Sequence, residues 1–324
     1  MEERPLGRSG VTVSRVVLGC GNYGGIGSAP RLFGQGTPPD EAIRIMDAAW
    51  ELGVTTFDTA DAYGGGRSET FIGDWLRTKG ADVRDRIVIQ TKTFNPMDEG
   101  QDHGLARTRI RRQIDASLTR LGVERVALYM AHAFDPDVPQ EETLETFAEL
   151  VGAGKIGAVG ASNFTGEQLA EAIELAALEG LPRYEWVQNA FSLLEQGDCE
   201  TVFPLCHEHG LGYQPFSPLA GGWLTGKYRR GEPPPAGSRM TLRPEGGEHY
   251  QVDAVYDAIE RLGTWAALRG VSTAAVATAW LLHVPEVTTV VVGPNRVSHL
   301  DDVRAALELT MNSAELDELA GWFS

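Results

Sequence analysis

Eight times along the chain, a short run rich in β-branched residues gives way to a glycine-rich or polar loop, and in most cases an amphipathic helical stretch follows. The runs are Val13–Leu18, Val54–Asp58, Arg86–Lys92, Val126–His132, Ala158–Ser162, Tyr184–Asn189, Gly212–Phe216 and Thr288–Val292. Helical spacing of apolar residues lies between them at Asp40–Leu52, Glu69–Lys79, Thr108–Leu121, Glu142–Ala153, Thr165–Leu178 and Glu200–Glu208. Strands alternating with helices pair in parallel through right-handed crossovers. Eight such units in 324 residues predict an α/β fold, a (β/α)8 TIM barrel in a single domain over residues 1–324, with a doubly wound open sheet as the rival. The spacing breaks once. Lys227 to Gly247 is rich in Gly, Pro and Arg and reads as a loop. Helical stretches Val252–Arg269, Ser272–His283 and Val297–Leu309 then add extra helices near the C-terminus, with Ser313 read as the cap of a last one.

Charge narrows the partners. Lys plus Arg is 28 and Asp plus Glu is 45, so the formal charge is 28 − 45 = −17. A surface this acidic repels nucleic-acid phosphates and anionic lipid, so neither nucleic acid nor membrane is expected as a partner. An anionic ligand would need a local basic pocket. The opening residues show no apolar stretch of a signal peptide, and the longest apolar run, Ala274 to Leu282, is too short to span a bilayer. Three cysteines, Cys20, Cys199 and Cys206, form no disulfide framework and suit a reducing, cytoplasmic location. The Cys-x₆-Cys gap beside His207 and His209 fits no common zinc spacing, so no metal is expected.

Gly19-Cys20-Gly21-Asn22-Tyr23-Gly24 spells a dinucleotide fingerprint after a strand. That motif needs a helix at its third glycine, so that a pyrophosphate can sit on the helix N-terminus. Here Gly25, Gly27, Pro30, Gly34, Gly36, Pro38 and Pro39 postpone any helix to about Asp40. The stretch reads instead as a close-approach loop at the end of the first barrel strand.

Barrel enzymes carry their chemistry at the C-terminal ends of strands. Consecutive strand ends offer Asp58 with Tyr63, Lys92 and His132: a carboxylate, a phenol, an ammonium and an imidazole. Singly, each has an ordinary structural explanation; together they suit acid–base work at a carbonyl. A phenol titrates near ~10. A nearby ammonium favours the phenolate, so Lys92 is expected to lower the Tyr63 pKa, with Asp58 keeping Lys92 charged and His132 orienting the carbonyl oxygen. The set lacks an electron source, which a hydride donor would complete.

These residues, with Arg4-Pro5-Leu6-Gly7-Arg8-Ser9-Gly10, Gly160-Ala161-Ser162-Asn163-Phe164, Val187-Gln188-Asn189 and Phe216-Ser217-Pro218-Leu219 running to Leu224-Thr225-Gly226-Lys227-Tyr228, resemble the aldo-keto reductases over essentially the whole chain. The resemblance implies an N-terminal β-hairpin closing the barrel bottom, a catalytic tetrad of Asp58, Tyr63, Lys92 and His132, and a nicotinamide cofactor, usually NADPH, held without a Rossmann domain. Ser162, Asn163 and Gln188 would bind its carboxamide, and Phe216 would stack under its ring. Ser217, Pro218 and Leu219, with Leu224 and Lys227, would hold the pyrophosphate. Gly293, Asn295, Arg296 and His299 would meet the adenosine end and its 2′-phosphate. Gly21, Asn22 and Asp58 complete the expected cofactor contacts. His299 and Val303 depart from the family's common residues at the adenine. The implied activity is NADPH-dependent, reversible reduction of an aldehyde or ketone, with hydride from nicotinamide C4 and a proton from Tyr63. Tyr23, Phe94 and Phe134, with Tyr63 and His132, are the expected wall around the small-molecule carbonyl. Two other readings are a nucleotide-binding, redox-sensing regulatory subunit with little turnover, and a metal-dependent isomerase or hydrolase using Asp58, Asp61, His132 and Asp135.

Overall fold

In a computed structural model describing residues 1–323, the alternation becomes an eight-stranded parallel sheet. An antiparallel hairpin, β1 (Glu3–Pro5) and β2 (Thr12–Ser14), precedes it. The sheet comprises β3 (Val16–Gly19), β4 (Thr56–Asp58), β5 (Val88–Thr93), β6 (Val126–Ala131), β7 (Ile156–Ser162), β8 (Trp186–Gln188), β9 (Gly212–Tyr213) and β10 (Val290–Val292). Its order is β10-β3-β4-β5-β6-β7-β8-β9. The seam between β9 and β10 is joined by Thr288 N–H to Tyr213 O (2.8 Å) and Val291 N–H to Pro215 O (2.9 Å), which curls the sheet into the TIM barrel.

All eight expected strands are present, and one divides. Val13–Leu18 splits at Arg15 into the end of the hairpin and the first barrel strand. Arg15 is buried, and its guanidinium donates to the carbonyls of Thr288 (2.7 Å) and Leu282. The first helix runs Pro39–Glu51, as the proline-rich approach dictates. Glu200–Glu208 also divides, into Asp198–Thr201 and Phe203–His209, because Pro204 has no N–H for the helical ladder. The last cap is Asn312 rather than Ser313. Its side chain accepts from Glu315 N–H (3.0 Å) while Glu315 accepts from Asn312 N–H (3.0 Å), a reciprocal box that sets the helix start one residue earlier. The loop 227–247 carries a short helix, Arg239–Leu242. Among the described residues no single helix is long and apolar enough to cross a membrane. The apolar Thr273–His283 helix is almost wholly buried against the barrel.

Strand side chains alternate between faces, and here even-numbered residues of β5 to β8 point into the barrel. At its lower end Leu128, Met130, Ala158 and Trp186 pack on Leu6 and Val13 of the hairpin, which floors the cylinder. On β4, β5 and β8 the interior also carries polar groups, Asp58, Gln90, Lys92 and Gln188. Odd-numbered residues face the helices. Thr91 bonds Glu69 (2.6 Å), which Arg120 also holds (2.7 Å). Thr93 donates to Asp61 (2.7 Å) and accepts from Arg109 (2.8 Å).

Asp61 is wholly buried, with Arg109 3.7 Å away and one carboxylate oxygen unpartnered. Burial pushes its carboxyl up to about 7 against the pull of Arg109. A raised acid pKa means that the folded chain prefers the protonated form. The stability this adds is complete below the open-chain value of ~3.9 and is lost as pH rises through the folded value. The urea midpoint of the wild type is therefore expected to fall, relative to that of Asp61→Asn, between about pH 4 and about pH 7, and to level off above that. Parallel midpoints across that range would remove Asp61 as the titrating group.

Candidate active site

Asp58 ends β4, Lys92 lies one residue before the end of β5, and His132 follows β6 directly. Three strands thus deliver three groups to one end of the barrel. Tyr63 arrives differently, on the tight turn Tyr63–Gly66, where Gly64, Gly65 and Gly66 all take positive φ. A Cβ on Gly64 would stand 2.6 Å from the carbonyl oxygen of Tyr23, so only glycine fits. The turn leads straight into the Arg67–Arg77 helix and leaves the phenol over the strand ends.

The four groups meet. Lys92 Nζ donates to both Asp58 oxygens (2.6 and 2.7 Å), to Thr59 O (3.0 Å) and toward the Tyr63 hydroxyl (3.4 Å). The Tyr63 hydroxyl is 3.4 Å from His132 Nε2. Lys92 and Asp58 are buried and Tyr63 is half-buried. Burial pulls the Lys92 ammonium down, but Asp58 and Tyr63 together raise it above its ordinary value, so it stays charged. Burial and the Lys92 charge hold His132 well below the usual imidazole range, so the ring is neutral at pH 7.

The phenol corrects one expectation. Burial pushes the Tyr63 hydroxyl up; Lys92 pulls it down, and Asp58 pushes it up again. The net direction is upward, opposite to the expected lowering, because the cation is largely neutralised by its own carboxylate while the site is dry. Tyr63 accordingly keeps its proton at neutral pH and has one to give. Phenol and imidazole side by side can donate hydrogen bonds to a single carbonyl oxygen, and the phenol can protonate it, with the buried Lys92 ammonium behind it.

A layer of amides beneath the tetrad was not read from the sequence. Gln90 Nε2 donates to Asp58 (2.5 Å) and to Gln214 Oε1 (2.6 Å), and Gln188 Nε2 donates to Asp58 (3.1 Å) and Gln214 Oε1 (2.7 Å). Neutral donors thus steady the carboxylate without competing with Lys92 for its charge. The signal was available, since Gln90 stands two residues before Lys92 and Gln214 two before Phe216, on the same strand faces.

The residues expected to hold a cofactor form an arc around the same end. Asn163 donates to His132 O (2.8 Å) and Ser162 Oγ (3.1 Å). The side chain of Gln188 is engaged with Asp58 and Gln214. Gly21 lies against the Tyr63 ring, where an added Cβ would stand 3.4 Å away. Asn22 bridges the mouth, donating to Asn295 (2.8 Å) and toward Gly293 O (3.5 Å), and accepting from Arg239 (2.9 Å). Arg239 was missed because it lies in an aperiodic Gly/Pro loop. Ser217, Lys227, Asn295 and Arg296 are exposed, and Phe216 and Leu219 are half-buried. Arg296 Nε lies 2.8 Å from His299 Nε2. Leu224 and Pro218 are buried. Val303 is also buried. Asn163, Ser217 and Ala220 hold positive φ without being glycine. Strain of this kind gathers at ligand clamps, and here it sits on the β7 and β9 loops. Exposed cations, strained loop backbone and open polar groups fit a dinucleotide.

Phe94 and Phe134 lie half-buried on loops flanking His132. Tyr23 does not join them. It is wholly buried in the core, because its loop folds back through Gly24 N–H to Thr37 O (3.0 Å) and Thr37 N–H to Asn22 O (2.7 Å). The carboxylates of the metal reading do not converge. Asp58 faces Lys92, Asp61 faces Thr93 and Arg109, and Asp135 accepts from Leu105 N–H (2.6 Å) and Asp137 N–H (3.0 Å). Among the described residues no three His, Cys, Asp or Glu side chains gather as a ligand set.

A closed parallel barrel bearing a phenol, an ammonium and an imidazole at one mouth defines a class, the barrel oxidoreductases of carbonyl and alcohol groups. A profile of the Aldo/keto reductase family matches residues 15–322. The uncharacterized oxidoreductase YrpG of Bacillus subtilis is 34% identical, covering 96% of this chain and 93% of its own. The L-glyceraldehyde 3-phosphate reductase of Escherichia coli (strain K12) is 32% identical over 98% of this chain and 91% of its own. A Schizosaccharomyces pombe protein named for a voltage-gated potassium channel beta subunit is 32% identical over 94% and 88%. The chain belongs to the aldo/keto reductase family. It is an oxidoreductase acting on small-molecule carbonyl and alcohol groups, and its family uses nicotinamide cofactors.

Proposed function

We propose that this single barrel domain, working in the cytoplasm, reduces an aldehyde or ketone reversibly to an alcohol with NADPH. The carrying observation is the Tyr63 hydroxyl, 3.4 Å from both Lys92 Nζ and His132 Nε2 at the barrel mouth. Bound there, the reduced nicotinamide supplies a hydride from its C4. Tyr63 gives its proton to the carbonyl oxygen as negative charge develops on it, and Lys92 steadies the phenolate left behind. His132 orients that oxygen, and Phe94 and Phe134 form the apolar side of the substrate space. Ser162, Asn163 and Gln188 would hold the carboxamide, with Phe216 beneath the ring. Backbone at 217–219 with Lys227 and Arg239 would hold the pyrophosphate, and Asn295, Arg296 and His299 the 2′-phosphate end.

The test is a titration of NADPH against NADH, followed by tryptophan fluorescence, then a carbonyl panel read by loss of the reduced nicotinamide's absorbance. NADPH is expected to bind more tightly, and at least one carbonyl to turn over. A charge-assisted bond to phosphate contributes about 1.5–3 kcal/mol, so Arg296→Ala is expected to weaken NADPH roughly 10- to 100-fold while leaving NADH unchanged. Equal weakening of both would move Arg296 away from the 2′-phosphate.

The Schizosaccharomyces pombe relative favours a second reading, a nucleotide-binding regulatory subunit. It requires tight dinucleotide binding together with negligible turnover across the carbonyl panel.

A further inference from the structure

We propose that Asn95 is a positioning residue of this site: its amide donates to His132 Nδ1 and so places the ring's single proton on Nε2, the nitrogen facing Tyr63. The inference rests on the carbonyl-reduction reading for its consequence, though not for its geometry. Asn95 Nδ2 lies 3.2 Å from His132 Nδ1, and Tyr63 lies 3.4 Å from the opposite nitrogen. An amide NH₂ only donates, so Nδ1 must accept, and a neutral ring then carries its hydrogen on Nε2. That hydrogen is the second donor, beside the Tyr63 hydroxyl, for a carbonyl oxygen. With the proton on Nδ1 instead, the Nε2 lone pair would oppose the oxygen.

The surroundings hold both partners still. Arg109, 2% exposed, donates to Asn95 O (2.6 Å), Gly104 O (3.1 Å) and Thr93 Oγ1 (2.8 Å). It therefore anchors the loop through backbone that any residue at position 95 retains. Thr93 O accepts from His132 N–H (3.0 Å), and His132 O accepts from Asn163 (2.8 Å). The charged and titratable groups facing the ring are Lys92 from β5 and Tyr63 from the turn after β4, with Asp58 behind Lys92. Asp135, on the ring's own loop, turns its carboxylate to the Leu105 and Asp137 N–H groups.

The experiment pairs a spectrum with kinetics on the full chain. Long-range ¹H–¹⁵N correlation of the histidine rings, with His132→Gln assigning the signal, is expected to show Nε2–H in the wild type. Asn95→Asp replaces the donor with an acceptor, so the neutral ring is expected to move its proton to Nδ1. The carboxylate also favours a doubly protonated ring. Carbonyl kcat should therefore fall about 10²-fold, the scale of losing one preorganised donor, with substrate KM and dinucleotide affinity little changed. It should recover as pH drops through the raised ring pKa, because Nε2 then regains a hydrogen. Asn95→Ala should lower kcat without that recovery. A loss of mere loop packing would lower activity alike at every pH.

A wild-type proton on Nδ1, or Asn95→Asp with wild-type kcat and pH profile, overturns the assignment and leaves the reductase reading intact. The expected tautomer in a protein that reduces no carbonyl overturns the reductase reading and leaves the Asn95–His132 contact standing.

Discussion

Replacing Lys92 with Met is expected to lower the free energy of unfolding by about 3–5 kcal/mol, the range seen when one member of a buried ion pair is removed. The Lys92 side chain is wholly shielded from solvent and that of Asp58 is 4% exposed. Without the ammonium, the carboxylate keeps only the amide donors of Gln90 and Gln188. Those neutral dipoles cannot offset a unit charge in a dry interior. The double variant Asp58→Asn/Lys92→Met leaves no charge at this pair, and an asparagine oxygen can still accept from both glutamines. Most of the lost stability should return in urea unfolding, while carbonyl reduction stays absent. A double variant no more stable than the single one would mean that Lys92 acts by filling space rather than by its charge.

Tyr63→Phe is expected to reduce kcat for carbonyl reduction by about 10²–10⁴, the usual contribution of a positioned proton donor. Stability and dinucleotide affinity should change little, because the hydroxyl makes only two long contacts, both 3.4 Å. The ring itself packs beside Gly21 and over Lys92, and phenylalanine preserves that. The two substitutions separate what the pair does. Lys92 is expected to act on both fold and chemistry, and the Tyr63 hydroxyl on chemistry alone. Full turnover by Tyr63→Phe on several good substrates would remove the phenol as proton donor.

Most of the architecture could be read from residue order because each level of it has a local signature. Short β-branched runs marked the strands, helical spacing marked the crossovers, and polar residues at three successive strand ends marked Asp58, Lys92 and His132. What escaped had non-local causes. The break at Arg15 depends on carbonyls some 270 residues away, at Leu282 and Thr288. Tyr23 resembled a loop aromatic, and only the pairing of its loop with Thr37 buries it. Arg239 reaches Asn22 across the mouth from a stretch without periodicity. The direction of the Tyr63 pKa turned on burial, and a string of residues carries no measure of depth. Gln90 and Gln214 were legible in principle, each two positions before a residue already singled out.

The even-residue register of β5 has a consequence for how such a molecule can diverge. Adding or deleting one amino acid between Val88 and Lys92 would turn Lys92 out toward the helical shell and leave a threonine facing inward in its place. Chemistry and cylinder would fail at a stroke. The segment beyond Asn95, from Pro96 to His103, can lengthen or shorten without rotating any staves. Inheritance can thus reshape which molecules enter while the part that transforms them stays locked to a count of two.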